Sequence, residues 1–286
     1  MKNHLILFIF YTFLKLLIYL DQHVRFFPEL VFFDVGQGDA IFITTPQKKA
    51  ILIDGGPGYT VSHKLNSYFP LNNCHLEAVF LTHPHADHLE GLNRVLDNCH
   101  IKRIFYTPAV YESSLYDDFQ ETALKKTKNG ALVTPFLSGD IYKPEKFGNL
   151  VFFGVWPPNH YIGKSLSNIN NVSTMLFLDF GKFEALITGD AELEVLREIN
   201  SSFIKNEFGF LDGSLEVYKL SHHGAKNGFN AEFWNNLNPL LTVISVGAVN
   251  KFGHPHPEVL DWLENVNARY LRTDIEGNIK IRYNSF

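Results

Sequence analysis

A short histidine-rich segment offers the clearest chemistry in this sequence. His83, His85, Asp87 and His88 fall within one turn of chain, directly after the apolar residues 77–81, which are typical of a β-strand. A strand end that leads into a helix directs its side chains to different sides of one turn. His83 and His85 can then bind one metal ion while Asp87 and His88 bind a second. Imidazole and carboxylate ligands together suit zinc, manganese or iron.

Further residues could serve the same chemistry. His222 and His223 follow an apolar run, where such a pair is either a metal ligand or a surface loop pair. His254 lies between Gly253 and Pro255, either as a substrate contact or as a residue of the loop before a helix. Gln37 lies in a glycine turn that a hairpin alone would explain. Asp54 ends an apolar run, and we expect it to support the metal-binding loop without binding metal itself.

The elements that must position these residues alternate along the chain. Residues 89–96, 192–199 and 257–263 have helical spacing. The apolar runs that we interpret as strands cover residues 30–35, 40–45, 50–53, 77–81, 150–155, 174–178, 185–187, 215–220, 243–246 and 278–282. This order predicts an α/β fold with two sheets between helices, in one domain over residues 26–286.

The N-terminal residues differ from the rest of the chain. Residues 5–20 are almost continuously apolar, with Lys2 before them and Lys15 within them. Three interpretations of residues 1–25 remain open: an uncleaved membrane anchor, which we favour, a signal sequence with an unusual cleavage site, or a buried helix. The charges around the run slightly favour an N-terminus inside the cell and a catalytic domain outside the membrane.

Composition excludes some classes of protein. Hydrophobic residues make up 45% and charged residues 19% of the 286 positions, as in globular proteins. A net charge of -5 excludes binding of nucleic acid mainly through a basic surface. It leaves a nuclease open, because bound cations would add positive charge at the phosphate. Cys74 and Cys99 cannot form a disulfide framework, and we interpret them as inert or buried thiols.

The histidine segment and its neighbours resemble a known family. The pattern His-x-His-x-Asp-His after a strand resembles the metallo-β-lactamase superfamily, which implies an αββα sandwich. The segments FDVGQGDA at 33–40 and LIDGG at 52–56 are similar to the opening of the hydrolase domain of ComEC competence proteins. NN-x-S at 170–173, ITGD at 187–190, SHHG at 221–224 and N-x-x-GHP at 250–255 continue the resemblance in order. Because the sequence has a single long apolar segment, we expect no counterpart of that family's polytopic channel domain in it.

The resemblance implies roles for several residues. Asp190 would bridge two divalent cations, although it could also cap the following helix. One histidine of the SHHG motif would complete the second metal site. We favour His222 as that ligand, with His223 beside the substrate as an acid. His254 would contact the substrate phosphate.

One ligand that is common in the superfamily has no counterpart here. The histidines between the first cluster and Asp190 are His100 and His160, and neither follows a strand in the required place. The resemblance puts Asn171 and Ser173 there, and we expect both to contact substrate together with Gln37. The first ion would then have fewer protein ligands, which puts its occupancy in question and makes manganese as plausible as zinc.

The function most consistent with these features is a metal-dependent nuclease or phosphodiesterase. Its substrate would be DNA in competence-like uptake, its catalytic groups Asp87, Asp190, His223 and His254, and its partner a separate DNA-uptake channel protein. The membrane would be contacted through residues 5–20. Two alternatives remain open: a hydrolase of small esters, lactones or lactams, and a catalytically silent domain that binds DNA or a partner.

Overall fold

The computed structural model describes residues 15, 29–45, 47, 49–69, 73–181, 183–199 and 215–282. Within these residues, two seven-stranded sheets stack face to face, and helices cover the outer surface of each sheet. This is the two-sheet α/β sandwich that the sequence predicts. Apart from Lys15, the segment over residues 1–25 lies outside the described residues. In the described part of the chain, no helix is long and apolar enough to cross a membrane.

The strands are numbered in chain order. They are β1 (Glu29–Phe32), β2 (Ile41–Thr44), β3 (Ala50–Ile53), β4 (His75–Leu76), β5 (Ala78–Leu81), β6 (His100–Ile101), β7 (Arg103–Tyr106), β8 (Leu132–Pro135), β9 (Ile141–Tyr142), β10 (Val151–Trp156), β11 (Met175–Asp179), β12 (Glu184–Ile187), β13 (Val217–Lys219), β14 (Leu241–Ile244), β15 (Tyr270–Arg272) and β16 (Ile279–Arg282). The α-helices of the described residues are α1 (Thr60–Asn66), α2 (Ala86–Asn98), α3 (Ser114–Lys128), α4 (Leu193–Glu198), α5 (Ala231–Leu237), α6 (Pro257–Asn265) and α7 (Thr273–Glu276).

The two sheets have the same internal plan. The first has the strand order β16-β1-β2-β3-β5-β7-β8 and the second has the order β15-β14-β13-β12-β11-β10-β9. In the first sheet, the strands from β16 to β3 pair antiparallel and those from β3 to β8 pair parallel. The second sheet repeats this change of direction at β12. Each sheet therefore has a parallel half whose strands all end at one edge.

Alternating side chains explain why the strands are buried on both faces. In β1, Leu30 and Phe32 point into the space between the sheets, while Val31 packs beneath the helices. Such strands appear in a sequence as continuous apolar runs, because neither face meets water. Between the sheets, the rings of Phe80 and Phe152 stack with centroids 5.0 Å apart. Replacing Phe80 by Ala would leave a cavity and cost about 3–5 kcal/mol.

The two cysteines are joined, which corrects the expectation of separate inert thiols. Cys74 and Cys99 form a disulfide with Cα atoms 4.8 Å apart. Each cysteine directly precedes a strand of the small sheet, where β4 and β6 pair parallel with His75 opposite His100. The backbone N–H of His100 donates to the Cys74 carbonyl over 2.9 Å. This strand pairing brings together two cysteines that are 25 residues apart.

Candidate metal centre

The candidate site lies at the edge where parallel strands of both sheets end. β5 leads into the segment from Thr82 to His88, β12 into Asp190, and β13 into His222 and His223. The carboxyl ends of parallel strands commonly form such a crevice in α/β proteins. The β1–β2 hairpin closes one side of the crevice, since the Asp39 N–H donates to the Asp87 carbonyl over 3.2 Å.

Glycine is required where that hairpin meets the histidine segment. Gly38 has a φ of +138°, and a Cβ on it would lie 2.1 Å from the carbonyl oxygen of Asp87. Any side chain at this position would push the hairpin away from the segment that carries Asp87.

Four residues, which we call the inner cluster, converge on one point: Asp87, His88, Asp190 and His223. Their ligand atoms all lie within 4.8 Å of one another. Oδ2 of Asp190 is 3.3 Å from Nε2 of His88 and 3.4 Å from Nε2 of His223. Nε2 of His223 also lies 3.5 Å from Oδ2 of Asp87.

The inner cluster fits a divalent cation. Both Nε2 atoms are buried and have no hydrogen-bond partner, although buried polar atoms in proteins are normally paired. Two imidazole nitrogens and two carboxylates around one point are a ligand set that zinc and similar ions use. The residues therefore match the metal that the sequence predicts.

Further contacts fix which nitrogen of each histidine faces the cluster. Nδ1 of His88 lies 2.8 Å from Oδ2 of Asp54, which also accepts a hydrogen bond of 2.6 Å from the Thr82 hydroxyl. Nδ1 of His223 lies 2.8 Å from the carbonyl oxygen of Ser245. Because these oxygens accept, each Nδ1 keeps its proton, and Nε2 is the nitrogen that could bind a metal once its own proton is displaced. Asp54 thus stands behind His88, at the supporting position.

His83 and His85 form a second position beside the inner cluster, which we call the outer pair. Nε2 of His83 lies 3.1 Å from Nδ1 of His85 and 3.9 Å from Oδ2 of Asp190. Asp190 is therefore the member of the inner cluster that also lies next to the outer pair, as expected of a bridging carboxylate. His83 is buried and His85 is partly exposed.

The geometry favours His223 for the inner cluster, in place of His222. His223 is 1% exposed, whereas the side chain of His222 is 20% exposed and has Nε2 3.8 Å from Oδ2 of Asp190. Both residues have left-handed backbone angles, with φ of 49° and 55°. Successive left-handed residues do not alternate as strand residues do, so the order of the two side chains could not be read from the sequence. The expected role of His223 as an acid beside the substrate stays a prediction.

The residues expected to contact substrate take different positions. Ser173 is fully buried, and its hydroxyl accepts a hydrogen bond of 3.1 Å from the Asp190 N–H. Asn171 is 9% exposed, and its amide donates to Glu194 over 2.8 Å. These two side chains therefore hold the loop around Asp190, and their expected contact with substrate stays a prediction.

Gln37 and His254 lie nearer the opening. The side-chain oxygen of Gln37 accepts from the Gly247 N–H over 3.3 Å, which ties the β1–β2 hairpin to the loop after β14. His254 is partly exposed, and its ring lies 5.5 Å from that of His222. Asn250 fixes this loop, since its amide donates to the His254 carbonyl over 2.8 Å. Of the residues expected to contact substrate, His254 is thus the one at the rim.

The site also contains a buried pair of charged residues that was not predicted from the sequence. Lys219 and Asp39 are both fully buried, and Nζ of Lys219 lies 2.5 Å from Oδ2 of Asp39. Lys219 ends β13 inside a run of apolar residues. A lysine within a predicted buried strand was the one available signal, because lysine is almost never fully buried unless it is paired.

The neighbouring histidines keep the carboxylate of Asp190 ionised. Burial alone would raise the pKa of Asp190, but His223 and His88 hold it well below its usual range. Burial would lower the pKa of His223, yet Asp190, Asp87 and Asp39 raise it to about 9. The pKa of His88 is raised in the same way against the effect of burial. A cation that binds here must therefore displace protons from two histidines.

A cleft of about 680 Å³ opens beside the outer pair. Its wall includes Tyr106 and Tyr111, and the ring of Tyr111 lies 5.7 Å from that of His85. Glu112 and Asp117 are the acidic residues of the lining. The cleft thus combines aromatic surface with hydrogen-bond acceptors next to the metal centre.

Two bacterial proteins are similar to most of this chain. The chain is similar to ComE operon protein 3 of Bacillus subtilis (strain 168), with 28% identity over 274 residues, which are 89% of this chain and 33% of that protein. It is also similar to Recombination protein 2 of Haemophilus influenzae, with 26% identity over 263 residues, or 87% of this chain and 28% of that protein. The chain thus spans about a third of the length of these relatives. The predicted resemblance to competence proteins is confirmed.

The fold has a counterpart among solved structures. Igni18, a metallo hydrolase from the archaeon Ignicoccus hospitalis, matches with a TM-score of 0.55 and 15% identity, over 90% of this chain and 100% of that chain. The family model described as the metallo-beta-lactamase superfamily matches residues 33–224. These residues contain the outer pair and the whole inner cluster. The chain therefore belongs to the metallo-β-lactamase superfamily.

Proposed function

We propose that this chain is a metal-dependent phosphodiesterase that hydrolyses DNA outside the cytoplasmic membrane during competence-type DNA uptake. The observation that carries the proposal is the inner cluster, in which two buried imidazole nitrogens without partners face two carboxylates. The similarity to competence proteins supports DNA as the substrate. The inner cluster would hold one ion and the outer pair a second, with Asp190 between them; zinc and manganese both suit these ligands.

The chain's own residues have distinct tasks in this reaction. When bound, divalent ions lower the pKa of water and neutralise charge on phosphoryl oxygens. Asp87 has 29% of its side chain exposed, so it can reach the attacking water and orient it by accepting a hydrogen bond. Burial and the neighbouring His222 lower the pKa of His254 to about 4. His254 is then neutral at pH 7 and would hydrogen-bond the phosphate rather than act as a cationic acid.

The disulfide supports a location outside the cytoplasm. Cys74 and Cys99 are bonded, and such bonds form mainly in oxidising compartments such as the periplasm or the cell surface. We propose that residues 5–20 anchor the chain in the membrane and that a separate channel protein receives the DNA. The relatives are about three times as long as the stretch that they share with this chain, which leaves room in them for further domains.

The cleft beside the outer pair supports a nucleotide substrate. Glu112 and Asp117 would repel a phosphate backbone from the cleft itself. A base fits the cleft better, because it can stack on Tyr111 and donate its amino hydrogens to Glu112. The phosphate would then lie over the ions while the adjoining base enters the cleft.

The test is an assay of the full chain on single-stranded and double-stranded DNA with manganese, zinc or magnesium. Asp87→Asn should abolish metal-dependent cleavage, because it removes a charged ligand and the water contact. Asp34→Asn is the matched control, since Asp34 accepts only a turn hydrogen bond from Gly36 and should retain activity. Cleavage of ester, lactone or lactam substrates but not of DNA would favour the small-molecule alternative. Metal binding without hydrolysis of any substrate would favour the silent domain.

A further inference from the structure

Lys219 has contacts that the reaction above does not use. Its Nζ lies 2.5 Å from Oδ2 of Asp39, 2.8 Å from the Gly189 carbonyl oxygen and 3.6 Å from Oδ1 of Asp190. The side chain is 0% exposed, so it cannot touch a substrate. An ammonium group in such a place is costly to desolvate and persists only with good partners. Its role therefore concerns the carboxylates around it.

The two oxygens of Asp190 have different neighbours. Among the described residues Oδ1 has no hydrogen-bond partner and lies at ion-pair distance from the ammonium of Lys219, whereas Oδ2 lies near four histidine nitrogens. The distances from Oδ2 to the Nε2 atoms are 3.3 Å for His88, 3.4 Å for His223, 3.8 Å for His222 and 3.9 Å for His83. A single carboxylate oxygen is thus offered to both the inner cluster and the outer pair.

We propose that Lys219 is a positioning residue that holds Oδ1 of Asp190 and so reserves Oδ2 as the one bridging atom. The inference rests on the metal-binding part of the proposed function and not on the identity of the substrate. Without the ammonium, the carboxylate of Asp190 could rotate and offer either oxygen to either position. Lys219 also supplies positive charge, which lessens the repulsion between Asp190 and Asp39 before a cation binds.

The same ammonium joins segments from both sheets. Asp39 lies in the β1–β2 hairpin of the first sheet, and its N–H donates to Asp87 over 3.2 Å. Gly189 and Asp190 follow β12 of the second sheet, and Lys219 ends β13. The simpler alternative is that Lys219 serves only as the counterion of Asp39. The positioning role and the counterion role predict different metal affinities when Lys219 is removed from a chain in which Asp39 is already neutral.

The experiment uses three variants of the full chain: Asp39→Asn, Lys219→Met and the double variant. Each is treated with a chelator, checked for folding by thermal unfolding, and titrated with zinc against a chromophoric chelator; bound zinc is counted by elemental analysis. Lys219→Met leaves buried acids without their counterion and should unfold at a lower temperature. The double variant removes one charge of each sign, so it should fold more stably than Lys219→Met.

We expect the double variant to bind zinc with a Kd about 10–100 times higher, the range found when partners of metal ligands are lost. It should also bind less zinc per chain than the unaltered protein. Asp39→Asn alone retains the contact from Lys219 to Asp190 and should bind zinc as the unaltered chain does. Unchanged zinc affinity in the double variant would overturn the proposal and leave Lys219 as a counterion only. An equal loss in Asp39→Asn alone would also overturn it, because Asp39 would then be the positioning group. Neither outcome depends on DNA cleavage.

Discussion

Replacing Asp54 by Asn tests whether the support behind His88 sets the metal affinity. Asp54 is fully buried and accepts three hydrogen bonds: from the Thr82 N–H over 2.8 Å, from the Thr82 hydroxyl over 2.6 Å and from Nδ1 of His88 over 2.8 Å. An asparagine has one acceptor oxygen, and its amide nitrogen must face one of these donors. At least one hydrogen bond to a charged acceptor is lost, which is worth about 1.5–3 kcal/mol.

That energy corresponds to about a 10- to 100-fold weaker metal Kd, since 1.4 kcal/mol is a factor of ten. The loss arises because His88 can then turn its proton toward the inner cluster and no longer offers a free Nε2. Zinc affinity, measured by chelator competition, is the direct readout, and Asp34→Asn is the control for loss of a carboxylate in a neighbouring loop. An Asp54→Asn variant that folds and binds zinc with the affinity of the unaltered chain would refute the assignment of Nε2 as the ligand atom.

Three other perturbations have defined outcomes. Replacing Cys74 and Cys99 by Ser should lower the free energy of unfolding by about 3 kcal/mol, because the bond closes a loop over a separation of 25 residues; denaturant titration measures this, and an unchanged midpoint would contradict it. Tyr111→Ala should raise the KM for an oligonucleotide about tenfold through lost stacking, while Tyr111→Phe should not, and an abasic oligonucleotide should be cut equally by both variants. When a chelator keeps the chain free of metal, protonated His223 stabilises the fold, because its pKa is about 9 in the folded chain against an ordinary 6.5. This stabilisation is complete below about pH 6.5 and is lost as the pH rises through 9. The thermal unfolding temperature of the unaltered chain should fall as the pH rises over this range, and it should fall less steeply in His223→Asn. Zinc affinity should rise with pH over the same range.

Most of the fold could be predicted because its strands are buried on both faces. Apolar runs such as residues 50–53 coincide with observed strands. The predicted strand before the histidine segment is also present, and it ends at the candidate site. The elements that were not predicted are the helices α1, α3, α5 and α7 and the strands β4, β6, β7, β8, β9 and β15. α3 has three buried residues among its 15 positions, so its apolar pattern is weak, and β8 has no fully buried position.

The part of the candidate site that could be predicted is the part whose residues are close together in the sequence. His83, His85, Asp87 and His88 are close in sequence, and Asp190 was placed by resemblance. The rest depends on contacts between distant segments. The salt bridge of Lys219 with Asp39 spans both sheets, and the disulfide depends on the pairing of two very short strands, so neither leaves a local pattern. The exchange of His222 for His223 in the inner cluster depends on backbone angles that the sequence does not reveal.

The pairing of the first and last strands determines how the domain can be tethered. Glu29 at the start of β1 lies opposite Arg282 at the end of β16, and their side chains are 2.7 Å apart in a salt bridge. β1 runs from this corner toward the hairpin that closes the site, so the corner and the site lie at opposite ends of the strand. Whatever adjoins residue 29 or residue 282 is thus attached to the back of the sandwich. If the chain is the membrane-anchored nuclease proposed above, a DNA strand could reach the open edge of the site without passing the point of attachment.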